Sequence, residues 1–483
     1  MSAASTFFWH DYETFGRDPR QHWPAQFAGV RTDAELNEIE PPLVLYCRPS
    51  PDALPDPLSC VLTGITPQQC LRDGVPERTF AERIEAELAR PGTIGLGYNS
   101  IRFDDEFTRH LLWRNLLDPY AREWRHGCGR WDLLDVVRAA WALRPDGLEW
   151  PQVDGRVSLK LEHLSAANGL THEHAHDALS DVRATIALAR LLRARQPRLY
   201  AFAFALRERD RVLREMGLPS APRPFVHVSP QFGAERGFLA AMWPLAPHPR
   251  NRHEVIAWDL AHDPRELADL RPEQVRARLF LRREHERDDW RRLPIKTVHV
   301  NRAPIVIGGL AVLRQGAAQR FGLDLGAVER HAAHAAGLPD LSALWAEAYA
   351  PPERDGAPDV DAALYAGGFV GDEDRRRLQR LRLLDPADPA WRHAGFEDPR
   401  LAELVFRFRA RNHPETLDEA ERARWRAHCR ARLHGGAGGR PTVAQFLAEL
   451  DGLAEQAQAL RGARGLAILQ ALRDYVATLE PAG

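Results

Sequence analysis

The chain is poor in the features that mark secreted, membrane-spanning or zinc-built proteins. Only five cysteines occur in 483 residues (Cys47, Cys60, Cys70, Cys128 and Cys429), and none stands in a C-x-x-C pair. So odd and scattered a set disfavours a disulfide framework and structural zinc, and favours a reducing, cytoplasmic compartment. No apolar run is long enough to cross a bilayer, and the first residues lack the basic and hydrophobic regions of a secretory signal. Charge of one sign is missing too, since 65 basic residues face 67 acidic ones for a net charge of -2. Global charge therefore neither requires nor excludes a nucleic-acid partner, because an acidic metal centre can adjoin a separate basic groove. Internal repeats and sustained heptads are also absent. At this length, 44% hydrophobic and 27% charged residues describe a folded soluble protein of two or three domains.

Chemistry is present from the start. Ser5–Trp9 is a strand-forming run that ends in His10-Asp11-Tyr12-Glu13-Thr14-Phe15-Gly16. A strand continued through Glu13 would place Asp11 and Glu13 on one face, since side chains alternate with a period of two. Carboxylates set side by side repel unless a cation lies between them, and hard oxygen ligands suit magnesium or manganese. A solvated acidic turn is the plain alternative.

Strands are expected at 27–31 and 42–47, a helix starts at Thr66-Pro67, another helix spans 77–88, and a glycine-broken strand spans 93–99. This order points to an α/β domain. Asp104 or Asp105, directly after that last strand, could cap a helix or act as a ligand at the carboxyl end of the sheet. Helices are expected at 130–141 and 158–168. A long helix then carries Leu179, Val182, Ile186 and Ala189 as its apolar stripe, with Asp177 near its cap, His176 just before it and Asp181 in its first turns. One further helix at 199–213 precedes a proline-rich hinge, and strands are expected at 226–228, 254–258, 296–300 and 304–307. From Asp361 the pattern is helical and rich in arginine, with candidates at 374–384, 401–410, 417–433 and, in more than one piece, 442–479.

Four carboxylates thus stand at the ends of expected elements: Asp11, Glu13, Asp104 and Asp181, with His176 close to the last. The order D-x-E, a later aspartate, then H-x-x-x-x-D resembles the DEDDh group of 3′-to-5′ exonucleases. The segments HDYETFG (10–16), PAQFAGVRTD (24–33), LTGITPQ (62–68), LGYNSIRFDDE (96–106), AHDALSD (175–181), VHVS (226–229) and RARNHPETLD (409–418) are similar to those of bacterial exonuclease I.

That resemblance implies a processive enzyme of DNA repair, degrading single-stranded DNA from a free 3′ end to 5′ mononucleotides. The architecture it implies is an α/β, RNase-H-like mixed-sheet exonuclease domain (1–197), an SH3-like β-rich domain with inserted helices (198–355) and a C-terminal helical domain (356–483). Asp11, Glu13, Asp104 and Asp181 would hold two Mg2+ ions, with Mn2+ able to substitute, and His176 would be the general base. The same pattern selects Asp104 over Asp105, leaving Asp105 as a cap or a solvent-facing group, and makes Asp177 a cap. His10, Tyr12, Phe15 and Phe103 are candidates to line the terminal-nucleotide pocket by stacking. Arg223, Arg314 and Arg330 are candidates to receive the acidic C-terminal tail of single-stranded DNA-binding protein. A monomer without membrane attachment is expected. Two rivals share these features: a related exonuclease acting on RNA, whose catalytic set would be identical, and a catalytically inactive DNA-binding clamp, which would have no need of clustered acids.

Overall fold

The structure is a computed structural model and describes residues 5–171, 177–287, 290–351 and 358–479. Strand β1 (Thr6–Thr14) carries Phe7, Phe8 and Trp9 buried in succession, as a strand covered on both faces requires. It pairs antiparallel with β2 (Pro24–Thr32), which pairs in turn with β3 (Leu43–Tyr46). The return to the sheet passes through helices α1 (Pro57–Thr63), α2 (Pro67–Asp73) and α3 (Glu77–Leu88). Asp56 and Thr66 cap the first two through their side chains, each with proline as the first helical residue. Phe80, Ala81, Ile84 and Leu88 of α3 then pack on Phe8, Phe27 and Leu45 of the sheet. Strand β4 (Thr93–Gly97) joins β1 in parallel, and α4 (Asp104–Arg114) follows it. The sheet order is β3-β2-β1-β4 and continues to β5 (Gly129–Asp132). Residues 130–132 are therefore strand, not helix; the Asp132 side chain accepts the Leu134 N–H at 2.9 Å and starts α5 (Leu133–Leu143) from that point. The short hairpin β6 (Gln152–Val153) and β7 (Arg156–Val157), α6 (Leu161–Ala167) and α7 (Ala178–Arg195) complete this part of the chain.

The chain falls into two compact units, the first formed by Met1–Gly129, His172–Arg183 and Arg354–Gly483, the second by Arg130–Thr171 and Ala184–Glu353. The C-terminal helices share a core with the first segment. Leu433, Phe446, Leu469, Leu472 and Tyr475 close over Phe15, Ala25, Cys60 and Cys70. Beside that core lie Asp52 and Asp361, both 0% exposed. Arg411 bonds both carboxylates at 2.7 Å, Arg432 reaches Asp52 at 2.6 Å and Asp361 at 2.5 Å, and Arg407 reaches Asp361 at 2.9 Å. Burial alone would raise these carboxyls, yet Arg411 and Arg432 outweigh it and hold both well below the usual carboxylate range. The arginine richness of the helical segment is in part this network, and the Arg411 guanidinium also lies over the rings of Trp23 and Trp425, 5.5 and 5.7 Å from their centres.

In the second unit α8 (Pro197–Ala205) and α9 (Arg209–Met216) replace the single helix expected at 199–213. Arg207 donates to the Phe204 carbonyl at 3.0 Å, engaging an oxygen that a continuous helix would use. Five strands follow: β8 (Phe225–Val228), β9 (Leu239–Pro247), β10 (Glu254–Asp259), β11 (Ile295–His299) and β12 (Ile305–Gly308). Their order is β11-β10-β9-β8-β12, with every pairing antiparallel. The middle strand, β9, has no counterpart among the expected ones, because Leu-Ala-Ala-Met-Trp-Pro carries neither alternation nor β-branched residues. Among the described residues no helix is long and apolar enough to cross a membrane.

Removing one member of the Asp52–Asp361 network strands buried charge. Asp361→Ala is expected to lower stability by about 3–5 kcal/mol in urea unfolding at neutral pH. The depressed carboxyls stabilise the fold fully above about pH 4, and this contribution is lost as pH falls through their folded values. The cost of Asp361→Ala should accordingly shrink in acid.

Candidate active site

The site forms where β1 outruns β4. The parallel pairing ends at Trp9–Leu96, so the β4 side of β1 is open beyond that point. Gly97 makes this exit possible: a β-carbon there would lie 2.6 Å from the His10 carbonyl oxygen. The chain turns through Asn99, at φ 67°, whose carbonyl accepts the N–H groups of Arg102 and Phe103 at 3.2 Å. Asp104 begins α4, and its Oδ1 accepts the Tyr12 N–H at 3.1 Å. A side chain thus takes the place of the missing sheet partner and sits between the positions of Asp11 and Glu13. From the other direction comes α7, whose start is capped by Asp177: the Ser180 N–H donates to Asp177 Oδ2 at 3.1 Å. One turn in, Asp181 faces the strand. Ligand oxygens of Asp11, Glu13 and Asp181 all lie within 4.8 Å of one another. Glu13 and Asp104 are 8% and 2% exposed, while Asp11 and Asp181 are half-buried.

Such crowding has an electrostatic signature. Burial, then Asp104, Glu13, Asp181 and Asp177, push the Asp11 carboxyl well above its usual range. Burial, then Asp181 and Asp177, push Glu13 up to about 8, with Arg461 offsetting part of the rise. An oxygen-only donor set whose members resist ionising together fits a hard divalent cation, which would discharge the repulsion. Arg461, near the far end of the chain, belongs to the surroundings of the site; nothing local in the sequence ties it to Glu13. Gln26, within the segment PAQFAGVRTD, lies across from Glu13 in the β1–β2 ladder.

Other expected residues are placed differently. His176 lies outside the described residues. Asp105 neither caps α4 nor faces solvent: it is buried in an ion pair with Arg122 at 2.6 Å. His10 is buried with its Nδ1 bonded to the Phe8 carbonyl, and burial followed by Arg122 lowers it to about 4. Tyr12 packs in the sheet core with its hydroxyl 3.0 Å from that of Thr108, and Phe15 packs in the core shared with the C-terminal helices. These three rings belong to the interior and offer a nucleotide no face. Phe103 is half-exposed beside Phe107 and remains available for stacking. Arg223 is engaged by the carbonyls of Arg214 and Glu215 at the end of α9, Arg314 pairs with Glu329, and Arg330 is exposed.

Glu13→Gln is expected to raise the melting temperature of the metal-free protein. The raised carboxyl opposes folding only where unfolded glutamate is ionised, so the gain is absent below about pH 4, grows as pH rises toward 8 and is level above it. Thermal melts across this range in the presence of chelator would check it.

Comparison with known proteins covers the whole length. Residues 8–189 match the family model described as Exonuclease, 207–351 the exonuclease I SH3-like domain, and 358–479 the exonuclease I C-terminal domain. Exodeoxyribonuclease I of Escherichia coli (strain K12) is 44% identical over 433 residues, which cover 88% of this chain and 89% of that one. The Haemophilus influenzae exodeoxyribonuclease I is 38% identical over 97% of this chain and 98% of its own. Among solved structures, a moderately thermophilic exonuclease I from Methylocaldum szegediense superposes with a TM-score of 0.91 at 45% identity, covering 98% of this chain and 99% of that one. E. coli exonuclease I in complex with a dA16 oligonucleotide gives 0.91 at 40% identity, covering 98% and 100%. With an acidic cluster at the end of its central strand and this likeness from end to end, the chain belongs to the exonuclease I family.

Proposed function

We propose that the protein is a 3′-to-5′ exodeoxyribonuclease that degrades single-stranded DNA processively to 5′ mononucleotides in DNA repair. The observation that carries this reading is the cluster of Asp11, Glu13 and Asp181, with Asp104 bonded to the intervening Tyr12, in a chain of this family. Solved relatives include E. coli exonuclease I bound to a dA16 oligonucleotide and a zinc-bound form with single-stranded DNA.

Asp11, Glu13, Asp104 and Asp181 would hold two Mg2+ ions, with Mn2+ able to substitute. Bound there, such ions polarise the phosphodiester and lower the pKa of an attacking water. The chain's own part is to hold and move protons and to orient the strand. His176, which precedes the cap residue Asp177 in sequence, is assigned the role of proton acceptor. An imidazole is suited to take the water's proton near neutral pH. Phe103 supports the terminal base by stacking, a contact that every base can make. In the second unit, Arg223, Arg314 and Arg330 are the exposed cations that would receive an acidic protein tail; Arg223 also donates to the carbonyls at the end of α9, and Arg314 pairs with Glu329. The protein acts as a monomer, and five free thiols suit a reducing, cytoplasmic setting.

The deciding experiment follows 3′-labelled and 5′-labelled single-stranded DNA with and without magnesium. Early loss of the 3′ label as mononucleotide, dependent on metal, is expected. His176→Ala should lower kcat by roughly 10²–10⁴-fold, and Asp181→Ala should be at least as severe. Equal rates on a matched RNA strand would favour the RNA exonuclease, and DNA binding without any hydrolysis would favour the inactive clamp.

A further inference from the structure

Glu13 and Asp181 stand on elements that share no sheet ladder, and something must index one to the other. We propose that Gln26 is a positioning residue that sets the start of α7 against the β1–β2 ladder and so holds Asp181 at the acidic cluster. The inference rests on the reading of that cluster as the catalytic metal site.

Gln26 lies in β2 directly opposite Glu13, so the two side chains share one face of the sheet. It is 2% exposed, and its amide is engaged at both ends. Oε1 accepts the Ala178 N–H at 3.3 Å, and Nε2 donates to Asp177 Oδ1 at 3.2 Å and to the Tyr46 hydroxyl at 3.2 Å. Asp177 in turn caps α7 through Oδ2, and its carbonyl accepts the Asp181 N–H at 3.0 Å. A continuous set of hydrogen bonds therefore runs from the residue opposite Glu13, through the cap, to the backbone of the third ligand.

The chemistry of an amide suits this place. The first N–H groups of a helix have no partner within it, and the cap of α7 leaves the Ala178 N–H to be satisfied from outside. One amide supplies an acceptor for that N–H and a donor for the adjacent carboxylate at the same time. A hydrocarbon would leave the Ala178 N–H without this acceptor and take the amide donor from Asp177 Oδ1. A carboxylate would satisfy the N–H but oppose Asp177. The geometric demand is strict, because sliding the helix start by one residue turns every side chain about 100° around the axis, which would carry Asp181 away from Asp11 and Glu13.

The test compares Gln26→Leu, Gln26→Glu and the double variant Gln26→Glu with Asp177→Asn. The double variant reverses donor and acceptor across the same contact and keeps an oxygen for the Ser180 N–H. Mn2+ binding to the DNA-free protein, read by electron paramagnetic resonance, is measured beside kcat, KM and melting temperature, with Asp181→Asn as the control. Both single variants are expected to bind Mn2+ roughly 10–100-fold more weakly, as loss of groups that orient metal ligands does elsewhere. Their kcat should fall with KM for DNA nearly unchanged, and the double variant should recover most of the lost affinity. Wild-type Mn2+ affinity in the single variants would overturn the proposal. So would a lowered melting temperature with unchanged affinity of the folded protein, or failure of the double variant to recover. If Gln26→Leu does not fold, the near-isosteric Gln26→Glu pair still decides. Should Asp181→Asn keep full Mn2+ affinity and hydrolysis, the metal-site reading itself would fall, an outcome distinct from any result at Gln26.

Discussion

Four carboxylates drawn to the end of one buried strand repel one another, and the surrounding structure exists to hold them there against that repulsion. Burial, and after it the like charges of Asp181 and Asp177, whose repulsion grows in a medium less polarisable than water, raise the Glu13 carboxyl to about 8. No single element could impose such a cluster. Asp11 and Glu13 come from β1, Asp104 from the start of α4 and Asp181 from the first turn of α7, and each is tied to backbone that the sheet makes rigid. Asp104 completes an open edge of β1, while Asp177 and Gln26 fix the helix that carries Asp181. A divalent cation would turn this repulsion into affinity, so the arrangement reads as functional and not as a defect of packing.

The same unit contains buried acids with the opposite character. Asp52 and Asp361 are more deeply enclosed, yet three arginines from the C-terminal helices neutralise them within the chain. One set of acids is satisfied internally and joins distant segments; the other crowds carboxylates against one another. Arg461, the cation that eases Glu13, also bonds the Leu62 carbonyl, so it is held by the first segment as well as facing the site. The C-terminal helices therefore complete the hydrophobic core, supply the structural cations and bear on the charge of the candidate active site. Family membership and the layout of the cluster lead to the same chemistry by separate routes.

Local rules made much of this legible. A period of two placed Asp11 and Glu13 on one face, the Thr66-Pro67 and Asp177 signals marked helix starts, and the apolar spacing of 77–88 matched α3 in full. Errors gathered where a residue's fate depends on what covers it. Aromatic character near the acids suggested stacking surfaces, but Tyr12 and Phe15 are interior because α3 and the C-terminal helices close over them. Asp105 was open to two explanations in sequence and took a third, since its partner Arg122 arrives from a later loop. Strand β9 was silent because its proline and alanines carry no alternation, although sheet pairing on both sides holds it at the centre.

By itself the sequence determined the chemical inventory and its order: which carboxylates end which elements, where helices begin, and the family to which the motifs are similar. These follow from backbone geometry over a few residues, where periodicity and capping act. Tertiary structure alone decided that Asp104 would bond the Tyr12 N–H, that Gln26 would clasp α7, that Arg461 would stand near Glu13, and that the helical segment would share a core with the first. Burial and charge pairing join residues hundreds of positions apart, and their energies depend on what is excluded from the space between them, a property no local pattern carries.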